Sequence, residues 1–258
     1  MTPDDAALVQ ALPGWAFAFV LVLSRVSAVV LLLPGIGESE PPAMLRAGLT
    51  LGMTLLLLPV VAPLVPAAPG DIWRDLLMVG AELLAGGLLG WLARLLVLAL
   101  PMAGNIISYM IGLSSVLQPD PQLGQTTVLA KALGLASTVL VLSTGLYALP
   151  IAALAGSYRL VAPGHLLPMA DTTQAVVAAV AEGFGLAMQL AAPLVFAGTL
   201  WQLGLALCAR LVPNLQIYVA AVPGQIAGGL LLLSLLLVGI VGAWGEAVRA
   251  GFLLLPGH

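Results

Sequence analysis

Across residues 172–255 the only charged side chains are Glu182, Arg210, Glu246 and Arg249. The remainder is mostly Leu, Ala, Val and Gly, in two runs, 172–211 and 215–255, joined at Val212-Pro213-Asn214. Runs of this length have no polar face to turn toward water, and ~20 apolar residues already suffice to cross a bilayer. The whole chain agrees with them. It is 61% hydrophobic and 7% charged, with a mean hydropathy of +1.14, where a soluble domain uses about a quarter charged residues. The apolar runs are also far longer than barrel strands of about ten residues and do not alternate. The chain therefore reads as an all-α polytopic membrane protein.

The N-terminus, MTPDDAALVQ, is acidic where a secretory signal is basic, and no cleavage pattern follows the first apolar run. That run, 14–33, is expected to be a permanent segment. Further runs follow at 44–65, 72–100, 102–117 and 126–155, with a loop expected at 156–171. Several runs exceed a spanning length, so parts of them are expected to bend or to stand outside the lipid. Pro150, Pro193 and Pro223 lie inside them, where proline removes a donor and bends a helix. A proline-rich first part, up to about residue 168, gives way to a long helical hairpin. The scattered charge and net −3 offer no basic patch for nucleic acid. The lone Cys208 cannot form an internal disulfide. Few arginines fall near the runs, and they give no positive-inside bias.

Ionisable residues inside apolar runs are costly unless paired or wet. Arg25, Glu82, Arg94, Lys131, Glu182 and Arg210 qualify. They read either as a substrate path or as intramembrane ion pairs and parts of helices outside the lipid. Glu246 and Arg249 have the spacing of a local pair. Gly86 and Gly90 form a small-xxx-small pattern that permits close helix packing. No metal-ligand spacing, phosphate-cradling loop or nucleophile elbow is present, so no catalytic residue, metal or cofactor is expected.

The stretch GLSSVLQPDPQLGQ, residues 112–125, follows the short run 102–117, which Pro101 separates from the run before it. Irregular backbone at membrane depth is tolerated only inside protein or along a cavity. The stretch is thus either a re-entrant element at a pore wall or a plain loop after a short helix.

Four motifs in order carry a resemblance over nearly the whole chain. LPGIGESEPPAMLRAGLTLG, with Pro34, Gly37 and Arg46, follows an arginine (Arg25) in the first run. AGNIISYMIGLSSVLQPDPQLG contains Gly104, Gly112, Asp120 and Pro121. Ser157-Tyr158 precedes Pro163-Gly164. ARLVPNLQIYVAAVPGQIAGG contains Arg210, Pro213, Asn214 and Pro223. In these features the chain resembles the FliR family of type III export-apparatus proteins, flagellar and injectisome.

That resemblance implies a FliP-like part, 1–168, fused to a FliQ-like hairpin, 169–258. It implies an export gate of the bacterial inner membrane and flagellar basal body, built with FliP-like and FliQ-like subunits and wrapped by an FlhB-like component. Unfolded flagellar proteins would pass through it. Residues 107–121 would project into the pore, with Gly112, Leu113, Ser115, Val116, Leu117, Gln118, Asp120 and Pro121 forming a plug. Relatives carry phenylalanines where this chain has Ser115 and Gln118, so here closure would rest on packing and hydrogen bonding, with Gly112 as a hinge. The amide order Asn214…Gln216 is likewise swapped relative to the family. Arg25, Pro34, Arg46, Glu82, Gly86, Gly90, Gly104, Arg210, Pro213, Asn214 and Pro223 would serve structure and assembly. Rival classes are a small-solute transporter with helices broken at Pro193 and Pro223, and a passive membrane scaffold. The first would require matching breaks in two halves, which the sequence lacks.

Overall fold

The computed structural model describes residues 3–38, 41–68, 70–113, 126–211 and 217–257. These form seven α-helices: α1 (Pro3–Leu32), α2 (Ala43–Val61), α3 (Ile72–Met110), α4 (Val128–Ser143), α5 (Ala148–Leu160), α6 (Met169–Leu211) and α7 (Ile217–Leu253). A 3-10 turn at Ala62–Leu64 extends α2, and no strand occurs among the described residues. Five helices are long and apolar enough to cross a membrane. A sixth crossing is available to the α4–α5 pair, bent by 68°.

Helix ends follow local chemistry. The LPGIG stretch stops α1: the Gly37 N–H donates to the Leu33 carbonyl at 2.8 Å, and Gly35 takes φ +87°. Glycine meets that left-handed backbone at no steric cost, and Pro34 sits within the same turn. Pro42 precedes α2 in an extended conformation, φ −55° and ψ 141°. Inside α2 the Thr50 and Thr54 hydroxyls donate back to the Arg46 and Thr50 carbonyls, so each hydroxyl is satisfied without a partner helix.

The structure corrects three boundaries. Residues 102–110 do not begin a separate half-length segment. α3 runs 39 residues through Pro101 to Met110, about 59 Å at 1.5 Å per residue. One lost donor costs less than a break, which would orphan several backbone groups in apolar surroundings. Pro193 and Pro223 likewise lie inside unbroken helices of 43 and 37 residues. The run 126–155 is divided instead, at a turn where Gly145 takes φ +74°. Pro150 then falls in the first turn of α5, where a missing N–H is harmless.

The expected loop 156–171 shrinks to 161–168, because α5 continues to Leu160. Gly156 and Ser157 are weak helix formers, yet a Cβ at Gly156 would run into the Gly257 carbonyl. Close packing holds the helix there against propensity.

The chain forms two compact units. One comprises Met1–Arg94, Val141–Ala178 and Gly251–His258, and the other Leu95–Leu140 and Ala179–Ala250.

Candidate functional site

In the first unit, α1 and α3 bring two opposite charges together out of reach of solvent. Arg25 is 1% exposed and Glu82 0%. Arg25 Nε donates to Glu82 Oε2 at 2.7 Å and Nη2 to Oε1 at 3.0 Å, a two-point fork. The remaining guanidinium donors are also used. Nη1 donates to Ser157 Oγ and to the Val161 carbonyl, and Nη2 donates to the same carbonyl. All five donors of the group are thereby matched.

Glu82 Oε1 accepts a further bond, from the Gly164 N–H at 2.7 Å. The Tyr158 ring lies under the guanidinium, 4.2 Å from its carbon, a favourable cation–π placement. Gly164 takes φ +79°, which presents its N–H to the carboxylate.

The spacing of α3 makes this approach possible. Glu82, Gly86 and Gly90 recur every four residues and so share one face. A Cβ at Gly86 would strike the Arg25 carbonyl, and one at Gly90 would lie 2.9 Å from Leu32 Cβ. Removing two side chains from α3 lets it lie against α1, with the ion pair one turn away. One guanidinium thus binds α1, α3, the end of α5 and the connection 161–168. Arg46 is half-buried in α2, beside a shallow cavity of about 350 Å³ lined by Leu23, Ser27, Leu31 and Leu51. His165 is exposed, and its ring Nδ1 lies 3.2 Å from the Pro163 carbonyl. An exposed ion pair links Arg74 and Asp71, whereas Glu246 and Arg249 stand exposed and do not pair with each other. Lys131 and Glu182 are also exposed, on α4 and α6.

The second unit holds both ends of the stretch that drew attention in the sequence. α3 ends at Met110, and Gly112 follows at φ +75°. Gln225 of α7 donates through Nε2 to the Met110 carbonyl at 2.8 Å. Gly198 of α6 closes on the same residue, since its Cβ would lie 3.1 Å from Met110 Cβ. A Cβ at Gly229 of α7 would lie 2.5 Å from Ile111 Cβ. A cavity of about 120 Å³ adjoins this contact, walled by Trp201, Gly224, Gln225 and Gly228.

The chain returns at Thr127, which caps α4 by accepting from the Ala130 N–H at 3.2 Å. Thr127 N–H and Oγ1 both donate to Asn105 Oδ1 at 3.1 Å, and Ser108 Oγ donates to Thr127 Oγ1 at 2.9 Å. Gly104 lets α4 come this close, for its Cβ would lie 2.9 Å from Ala130 Cα.

Of the residues singled out in the sequence, the structure brings Arg25, Glu82, Gly86 and Gly90 into one cluster. Gly104 and Gly112 lie at the second, with Leu113 next to Gly112. Pro34 lies in the α1 stop, Arg210 in the last turn of α6 and Pro223 inside α7. Ser115, Val116, Leu117, Gln118, Asp120, Pro121, Pro213 and Asn214 lie outside the described residues. Sequence reading did not single out Asn105, Ser108, Thr127 or Gln225. For Asn105, Ser108 and Thr127 a signal was available, since each is a polar side chain flanking 112–125; the approach of Gln225, 115 residues from Met110, is set by the fold alone.

Residues 16–251 match the family described as bacterial export proteins, family 1. The chain belongs to that family. It is 35% identical over 230 residues to the flagellar biosynthetic protein FliR of Caulobacter vibrioides, spanning 89% of this chain and 92% of that one. It is 27% identical to the Bacillus subtilis protein of the same name, over 84% of each chain. It is 30% identical to the Yop proteins translocation protein T of Yersinia pestis, over 83% and 84%. The match leaves out only the termini, so it takes in both clusters. This member of the family is a membrane-embedded component of a type III export apparatus.

Proposed function

We propose that the chain is a subunit of the flagellar export gate in the inner membrane, at the base of the flagellum. It forms the protein-conducting pore with FliP-like and FliQ-like subunits and meets an FlhB-like component, and unfolded flagellar proteins pass through the assembly. Its first 168 residues act as the FliP-like part and residues 169–258 as the FliQ-like hairpin. Residues 107–121 supply the pore loop.

The carrying observation is how the two ends of that loop are held. α3 delivers the chain to Gly112 under the Gln225 amide, and Asn105 and Ser108 receive it again at Thr127. Both ends of the stretch are thus anchored at α3. The loop itself, 114–125, lies outside the described residues. The work is conduction, not catalysis. The family is a structural export component, and the buried charges are saturated by their own partners. The flagellar reading is supported by the FliR of Caulobacter vibrioides, matched at 35% identity over 89% of this chain.

The test is purification of the tagged chain from its native membrane in mild detergent, with mass spectrometry of what remains bound. FliP-like and FliQ-like proteins in one large defined complex are expected. A chain recovered alone, or as a homodimer, refutes the gate.

A further inference from the structure

The last four carbonyls of a helix have no partner within it. At the end of α3 the Met110 carbonyl receives one from Gln225, 115 residues further along the chain. An amide on a helix as apolar as α7 is costly unless it is hydrogen-bonded. This one is half-buried and donates one of its two N–H groups to that carbonyl. The surroundings leave little freedom. Gly198 and Gly229 press on Met110 and Ile111 from two helices, with no room for a Cβ at Gly229. Gly112 then turns the chain away at φ +75°, its α-carbon facing the Gln225 amide. Beside this seat lies the cavity of about 120 Å³, so the end of α3 is not held by bulk packing on every side. A specific hydrogen bond has a task there that packing does not perform.

We propose that Gln225 is a positioning residue of the export pore. Its amide fixes where α3 stops, and therefore the point from which residues 112 onward leave toward the pore. The proposal rests on the pore-loop reading above. The hairpin helix α7 thus reports on, and constrains, the root of a segment encoded a hundred residues earlier.

The test uses the full chain with its partners in the native membrane. Gln225→Met keeps the length of the side chain and removes the donor. Gly239→Ala, on the same helix, where an added Cβ meets nothing, is the control. Two quantities are read: amide hydrogen exchange at 110–113 in the purified complex, and passage of a small polar solute per assembled complex. With Gln225→Met, exchange at 110–113 is expected to speed up several-fold and solute passage to rise several-fold, while the control matches wild type. A purely structural loss would lower the number of complexes and leave passage per complex unchanged.

Unchanged exchange and passage at wild-type complex yield overturn the proposal. If Gln225→Met assembles no complex, exchange is read on the isolated full-length variant. Acceleration confined to 110–113 then supports the clamp, and acceleration spread along the chain overturns it. Faster exchange without added passage leaves the clamp standing and removes the pore-loop reading beneath it.

Discussion

At the scale of single residues, Arg25 and Glu82 show what an apolar protein requires of a charge. Neither touches water, and each is neutralised by the other and by backbone groups. Breaking a buried pair strands a charge and typically costs about 3–5 kcal/mol. Glu82→Gln is therefore expected to lower the yield of monodisperse protein in mild detergent sharply, measured by size-exclusion chromatography. The charge swap Arg25→Glu with Glu82→Arg is expected to fail as well, because an arginine at 82 would face the Gly164 N–H, a donor against a donor. Recovery of wild-type yield by the swap would mean that charge alone, not this network, holds the site. The glycines beside the pair separate by contact. Gly86→Ala drives a Cβ into the Arg25 carbonyl and is expected to destabilise, whereas Gly87→Ala meets nothing and gains up to about 1 kcal/mol of helix propensity. Thermal unfolding in detergent should move the two variants in opposite directions.

At the scale of elements, the connection from α3 to α4 is decided by a threonine. Thr127 caps α4 and bridges to Asn105 and Ser108 on α3. Thr127→Val keeps the shape and removes the hydroxyl, and loss of such a cap costs about 1 kcal/mol. Faster amide exchange over the first turn of α4 is expected, with Thr127→Ser close to wild type; equal protection in all three would discard the capping role. Much of this layer was open to sequence reading. The length and apolar character of the runs led to helices, and the glycine-proline cluster after residue 32 marked the end of α1. Other boundaries were hidden because local rules compete with packing. Pro101 looked like a break, but a continuous α3 satisfies more backbone groups than two shorter helices. Ser157 and Tyr158 looked like loop residues, yet Gly156 packs so closely on Gly257 that the helix continues through them. Arg25 and Glu82 were each conspicuous as ionisable residues in apolar runs. Their pairing across 57 positions was not legible, since only the fold sets that distance.

At the scale of the whole molecule, the decisive quantity is apolar surface that no bilayer can cover. Along α6, exposed apolar side chains extend from Val177 through Phe184, Met188, Phe196 and Leu203 to Leu211. That is about 50 Å of helix at 1.5 Å per residue, against a hydrocarbon core of ~30 Å. Lipid can account for little more than half of that face, so the remainder needs protein. Glu182 lies exposed in the same stretch, a carboxylate that hydrocarbon would penalise by ~3 kcal/mol and that an adjoining subunit could satisfy. The isolated chain is therefore expected to aggregate in mild detergent at a lower temperature than the assembled one. Co-expression with the proposed FliP-like and FliQ-like partners should raise its aggregation temperature, because whatever binds only the folded state stabilises it. The same logic predicts that Phe184→Lys lowers recovery of the complex more than recovery of the isolated chain. An unchanged aggregation temperature with partners present, together with equal losses for Phe184→Lys in both preparations, would mean that lipid or detergent covers α6 throughout. The excess length of the helix would then need another explanation.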